Sequence, residues 1–125
     1  MMDPPDSLER LRRRLAEFAA QRDWDQFHSP KNLTMALIAE AAELVEHFQW
    51  LTEGQSRALP ASKRQAVADE LADVLIYLVR TADALDIDLI AAAVDKIARN
   101  ERRYPTDQVK GDARRASEYE DRNRI

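Results

Sequence analysis

Apolar positions recur at helical spacing in four stretches of this chain. In the first, Leu8, Leu11, Leu15, Phe18 and Ala19 follow one another at intervals of three and four, with arginines on the other face. This predicts an amphipathic helix over about 7–22, capped by Asp6 with Glu9 completing a capping box. The second stretch is oily on more than one side, with Leu33, Leu37, Leu44 and Phe48 along one line and Met35, Ile38, Ala42 and Val45 near another. It predicts a helix over about 30–51, started by Ser29 as N-cap and Pro30 at the first helical position. The third carries Val67, Leu71, Val74, Leu75, Leu78 and Val79 and predicts a helix from Ser62, boxed by Gln65, to about Leu85. The fourth buries Leu89, Ile90, Ala93, Val94 and Ile97 over about 89–103, and Tyr104-Pro105 ends it.

Four helices with short connections predict an all-α chain, a four-helix antiparallel bundle. A helix apolar nearly all round must be covered nearly all round, and in a chain of 125 residues the extra cover expected is another subunit. Residues 52–61 read as a polar connection. Residues 1–105 read as one domain, and residues 106–125, polar and of mixed charge, as a flexible tail.

Composition sharpens this picture. Two glycines and an abundance of Ala and Leu favour helix. The absence of cysteine excludes a disulfide framework, a thiolate metal site and a thiol nucleophile. A net charge of −4 with both signs interspersed offers no basic block for a nucleic-acid backbone. No apolar run reaches about 18 residues free of charge, so no membrane span is expected. No signal-peptide pattern opens the chain, and the expected location is cytoplasmic.

Candidate chemistry sits where charge interrupts the oil. Between Leu33 and Leu51 the ionisable residues are Glu40, Glu43, Glu46 and His47; between Leu71 and Ala82 they are Asp73, Tyr77 and Arg80. Glu40-Ala-Ala-Glu43 and Glu70-Leu-Ala-Asp73 each place two carboxylates on one helix face. Such motifs are common on solvated helices, but two of them on consecutive apolar helices point to a shared purpose. Carboxylates near a core are tolerated when protonated, paired with a cation side chain or bound to a metal ion. Hard oxygen donors suit Mg²⁺, with Mn²⁺ as the second choice, and such sites commonly serve phosphate chemistry. His28 and His47 do not stand at the spacing a di-iron bundle uses.

Phosphate also needs positive groups. Lys96, Asn100 and Arg103 share one helix face, and a basic helix C-terminus serves the macrodipole as readily as a ligand. A base needs flat surfaces. Trp50 lies seven residues after Glu43, and Tyr77 four after Asp73. The stretch 23–31, with Trp24, Phe27 and His28, reads either as a binding lip or as a plug for the bundle end.

The set Phe18-Ala-Ala-Gln-Arg-Asp-Trp-Asp-Gln-Phe-His28, Pro30-Lys-Asn-Leu33, Glu40-Ala-Ala-Glu-Leu44, Phe48-Gln-Trp50, Glu70-Leu-Ala-Asp-Val-Leu-Ile-Tyr-Leu78 and Asn100-Glu-Arg-Arg-Tyr-Pro105 resembles the all-α nucleoside triphosphate pyrophosphohydrolases, the MazG-like superfamily, and within it the dCTP pyrophosphatase branch. The resemblance implies hydrolysis of a nucleoside triphosphate, dCTP or a 5-modified dCTP, to the monophosphate and pyrophosphate, by a homotetramer. It implies Mg²⁺ on Glu40, Glu43, Glu70 and Asp73. It implies nucleotide binding by Trp24, Asp25, Gln26, Phe27, His28, Trp50 and Tyr77, with Lys96 and Asn100 close by. Arg103 joins Lys96 as an expected counter-charge for pyrophosphate, and Glu43, with Glu40, as the group orienting the attacking water. Leu15 stands where some relatives carry a substrate-contacting histidine. The competing expectations are a non-catalytic helical oligomerisation module and a nucleotide-binding module without turnover.

Overall fold

The computed structural model describes residues 7–114. Among the described residues it contains α1 (Leu8–Gln21), α2 (Pro30–Glu46), α3 (Glu53–Ser56), α4 (Ala61–Ala84), α5 (Leu89–Arg103) and α6 (Thr106–Val109), and no strand. They fall into two compact units, divided between Asp88 and Leu89.

In the first unit α4 packs along α2 and against α1. The two long helices run antiparallel. His28, just ahead of α2, meets Arg80 near the end of α4, while His47, just past α2, stands 4.0 Å from Glu70. The buried apolar side chains are Ala19 of α1, Leu33 of α2, and Val67, Val79 and Ala82 of α4, with Leu33 the largest that is fully enclosed. Much of the remaining oil lies on the surface of this single chain. Met35, Ile38 and Val45 of α2 and Leu71, Leu75 and Leu78 of α4 are all 40% exposed or more.

The helix ends show which local signals prevailed. Ser7 caps α1, its side chain accepting from the Arg10 N–H, and Glu9 pairs with Arg12 at 2.6 Å; the expected cap Asp6 lies outside the described residues. Ser29 caps α2 with Pro30 behind it, as the sequence indicates. Helix α2 then stops at Glu46, short of the expected 51. The N–H groups of His47 and Phe48 turn to carbonyls three residues back, Leu44 and Val45, and the chain tightens. A capping box does form, but in the segment read as a connection. Thr52 accepts from the Gln55 N–H at 3.1 Å and Gln55 returns a bond to the Thr52 N–H at 2.9 Å, which starts α3. Helix α4 begins at Ala61 after Pro60, without the Ser62 cap; Gln65 donates to Asp69 instead.

Helices α1 and α4 end alike. The Trp24 N–H reaches the Ala19 carbonyl and the Asp23 N–H that of Ala20; the Ile87 N–H reaches Ala82 and the Asp86 N–H reaches Asp83. These are paired Schellman bonds, with a left-handed residue at the turn, and that residue is aspartate both times, Asp23 at φ 56 and Asp86 at φ 54.

The second unit holds α5 and α6. Ile90, Val94 and Ile97, expected to be buried, are between 57% and 61% exposed. Pro105 precedes α6, a four-residue helix at the start of the segment read as a flexible tail; residues 115–125 lie outside the described residues. No helix among the described residues is long and apolar enough to cross a membrane.

Candidate metal and nucleotide site

Helix α2 contributes Glu40 and Glu43 one turn apart, and α4 contributes Glu70 from across the interface. One carboxylate oxygen of each lies within 4.8 Å of the others. The antiparallel pairing of two acid-bearing helices produces this convergence. Asp73 lies one turn beyond Glu70, outside that three-oxygen cluster, yet near enough for its charge to act on Glu40. Glu40 and Glu70 are half-buried and Glu43 is exposed.

The cluster is electrostatically unsatisfied. Burial, then the hydrogen bond and charge of Glu43, then the charge of Asp73 push the Glu40 carboxyl up to about 7. Burial, followed by the charge of Glu43, also raises Glu70. Glu40 Oε2 and Glu70 Oε2 are buried with no hydrogen-bond partner among the described residues. Two enclosed acceptors beside a third, solvent-facing carboxylate form an all-oxygen donor set, and its chemistry fits a hard divalent cation. His47, one turn past Glu43, places Nε2 4.0 Å from Glu70 Oε1.

The loop between α1 and α2 is shaped by the Schellman turn at its entry. Trp24 is held edge-on against Phe18 with ring centroids 5.6 Å apart, the apolar contact that accompanies this motif. Arg22 covers the other ring of the pair, its guanidinium carbon 3.6 Å from the Phe18 centroid. Gln26 folds back on Asp23, donating to its carbonyl and its carboxylate at 3.0 Å. Asn32 donates to the Phe27 carbonyl. Trp24 and Phe27 remain 43% and 59% exposed.

Trp50 is 87% exposed and stands in the turn beyond α2, so it does not continue the Glu43 face of that helix. Tyr77 is half-buried on α4, one turn after Asp73. Lys96, Asn100 and Arg103 lie on α5 in the second unit; Lys96 and Arg103 are exposed and Asn100 is half-buried.

Two participants were not anticipated. His47 enters because the acids cross between helices. Arg80 enters because its guanidinium, only 9% exposed, binds Asp25, His28 and Asp83. Its position as the lone cation in the apolar run 71–82 was the available signal.

This acid-paired helical architecture has known counterparts, and the chain belongs to the MazG-like family, whose sequence profile matches residues 36–120. It is 48% identical over 112 residues to dCTP pyrophosphatase 1 of Mus musculus, across 88% of this chain and 66% of the relative. It is 45% identical over 117 residues to dCTP pyrophosphatase 1 of Homo sapiens, across 92% of this chain and 69% of the relative. The chain thus spans about two thirds of the length of these relatives. The crystal structure of a pyrophosphatase from Archaeoglobus fulgidus superimposes with a TM-score of 0.76 at 37% identity, covering 84% of this chain and 98% of that one.

Proposed function

We propose that this chain hydrolyses a nucleoside triphosphate, dCTP or a 5-modified dCTP, to the monophosphate and pyrophosphate, with Mg²⁺ held by Glu40, Glu43, Glu70 and Asp73. The observation that carries this reading is the trio of converging carboxylates with two buried, unpartnered oxygens, in a chain whose relatives are named dCTP pyrophosphatases. Bound there, Mg²⁺ or Mn²⁺ supplies neutralisation of the polyphosphate charge and a more acidic water. Glu43, the exposed member of the trio, would orient the attacking water, with Glu40 as the second candidate. Trp24, Phe27, Trp50 and Tyr77 supply the flat apolar surfaces for the base, and Asp25, Gln26 and His28 the polar ones. Lys96 and Arg103 are proposed to offset charge on the leaving pyrophosphate, and Asn100 to bind the nucleotide.

The test is pyrophosphate release from the standard and 5-substituted nucleotides, with and without Mg²⁺. Glu43→Gln and Asp73→Asn are expected to abolish turnover while helical circular dichroism is unchanged. Full activity in either variant removes that residue from the metal site; no turnover by the native chain on any nucleotide leaves a binding or scaffold module.

The same proposal includes a cytoplasmic location and a four-helix arrangement assembled as a homotetramer, with residues 1–105 as the enzymatic domain. The exposed apolar side chains of α2 and α4 support assembly, since a lone soluble chain rarely leaves so much oil in contact with water. Sedimentation should return a mass several times 14.3 kDa, and Leu75→Glu should lower it.

A further inference from the structure

We propose that Arg80 is a positioning residue for nucleotide recognition: it fixes His28 as the tautomer that carries its proton on Nε2, and it anchors Asp25 beside it. The inference rests on the reading of residues 24–28 as the nucleotide-binding loop. Arg80 Nη2 stands 3.0 Å from Asp25 Oδ1 and 3.3 Å from His28 Nδ1, while Nη1 stands 3.4 Å from Asp83 Oδ2. A guanidinium has donors only, so the ring nitrogen facing it must accept. The His28 proton therefore sits on Nε2, on the side of the ring away from Arg80, and the loop presents an N–H donor there. The ligand group it fits is an acceptor: a carbonyl oxygen, an unprotonated ring nitrogen or a phosphate oxygen.

Arg80 can hold this geometry because it is itself held. Its side chain is only 9% exposed, and Asp83, which it touches, is also bound by Arg12 of α1 at 3.0 Å. Three segments of the first unit thus meet at one guanidinium: α1 through Asp83, α4 itself, and the loop through Asp25 and His28. The charged groups around His28 are Asp25 in its own loop, Arg80 and Asp83 from α4, and Arg12 of α1 behind Asp83; the Trp24 ring lies 6.1 Å away. Burial first, then the Arg80 charge, hold the imidazole below its ordinary range, against a smaller opposing pull from Asp25. Protonating Nδ1 would set a donor against a donor and break the contact with Arg80.

The experiment reads the tautomer directly, by ¹⁵N NMR of the two histidines in the full chain, with His28 assigned by the loss of its signals in His28→Gln. The native chain is expected to show Nε2 protonated and Nδ1 bare at neutral pH. Arg80→Met should give a mixed tautomer and a higher titration midpoint. Arg80→Lys keeps a donor-only cation and should keep the Nε2 tautomer, whereas Arg80→Met should also raise KM for dCTP about tenfold with kcat within about twofold. A purely structural role would lower melting temperature and leave the tautomer of the folded fraction untouched. A native His28 protonated on Nδ1 overturns the proposal, as does an unchanged tautomer in folded Arg80→Met or loss of the Nε2 tautomer in Arg80→Lys. A native chain with the expected tautomer and no nucleotide turnover overturns the enzymatic reading alone.

Discussion

Arg12 Nη1 donates to Asp83 Oδ1 at 3.0 Å, joining two residues 71 positions apart and pinning α1 to the end of α4. The other oxygen of the same carboxylate faces Arg80, so removing Asp83 takes one partner from each of two guanidinium groups, leaving Arg12 with Glu9 and Arg80 with Asp25. Asp83→Asn should cost about 1–2 kcal/mol of stability, between the values for exposed and enclosed ion pairs. Arg12→Ala, which leaves Asp83 its second partner, should cost about 1 kcal/mol or less. Urea unfolding of both variants and of the double variant measures the difference.

The acid cluster makes stability depend on pH in an unusual sense. The Glu40 carboxyl is held up to about 7 and Glu70 is also raised, so the folded chain binds these protons more tightly than the unfolded chain does. Their contribution is fully present below the ordinary carboxylate range and is lost as pH rises through about 7. In EDTA the melting temperature should therefore fall between pH 5 and about 8. Glu40→Gln should flatten that slope. Millimolar Mg²⁺ should restore the loss at the alkaline end, because a cation that binds only the folded state stabilises it. A melting temperature indifferent to both pH and Mg²⁺ would count against a metal centre here.

Trp50 touches water over most of its surface. Truncating it to alanine should change stability by no more than about 0.5 kcal/mol. If it stacks on a base, KM should rise about tenfold, the scale of one base–aromatic contact. Urea unfolding and steady-state kinetics read the two effects separately.

The acid pairs were legible because helical period alone puts residues three apart on one face, and their apolar surroundings marked them out. That Glu40, Glu43 and Glu70 converge follows from the antiparallel pairing of two oily helices. Asp73, one turn further along α4, shares the motif but stands outside that three-oxygen group, though its charge reaches Glu40. Trp50 was misplaced because its face was read by extending α2 to 51, and no Gly or Pro marks the tightening at His47 that ends the helix at Glu46. Gln65 and Ser62 matched a capping box as well as Thr52 and Gln55 do, but α4 is capped at Pro60, two residues ahead of Ser62. The apolar stripe of α5 was read correctly as a stripe and wrongly as buried in this chain. Arg80 could be noticed but not interpreted, because its partners Asp25 and His28 lie 55 and 52 residues away.

The two left-handed aspartates carry a different consequence. Each adopts a backbone region that glycine enters freely and other residues enter at a cost of about 1 kcal/mol. Asp86→Gly should therefore raise the melting temperature and leave turnover alone. At Asp23 the same exchange also deletes the carboxylate that Gln26 grips, so the relief comes with slack at the mouth of the recognition loop. Thermal tolerance and substrate affinity should part company at these two otherwise equivalent corners, one open to improvement and the other held taut by the work it does.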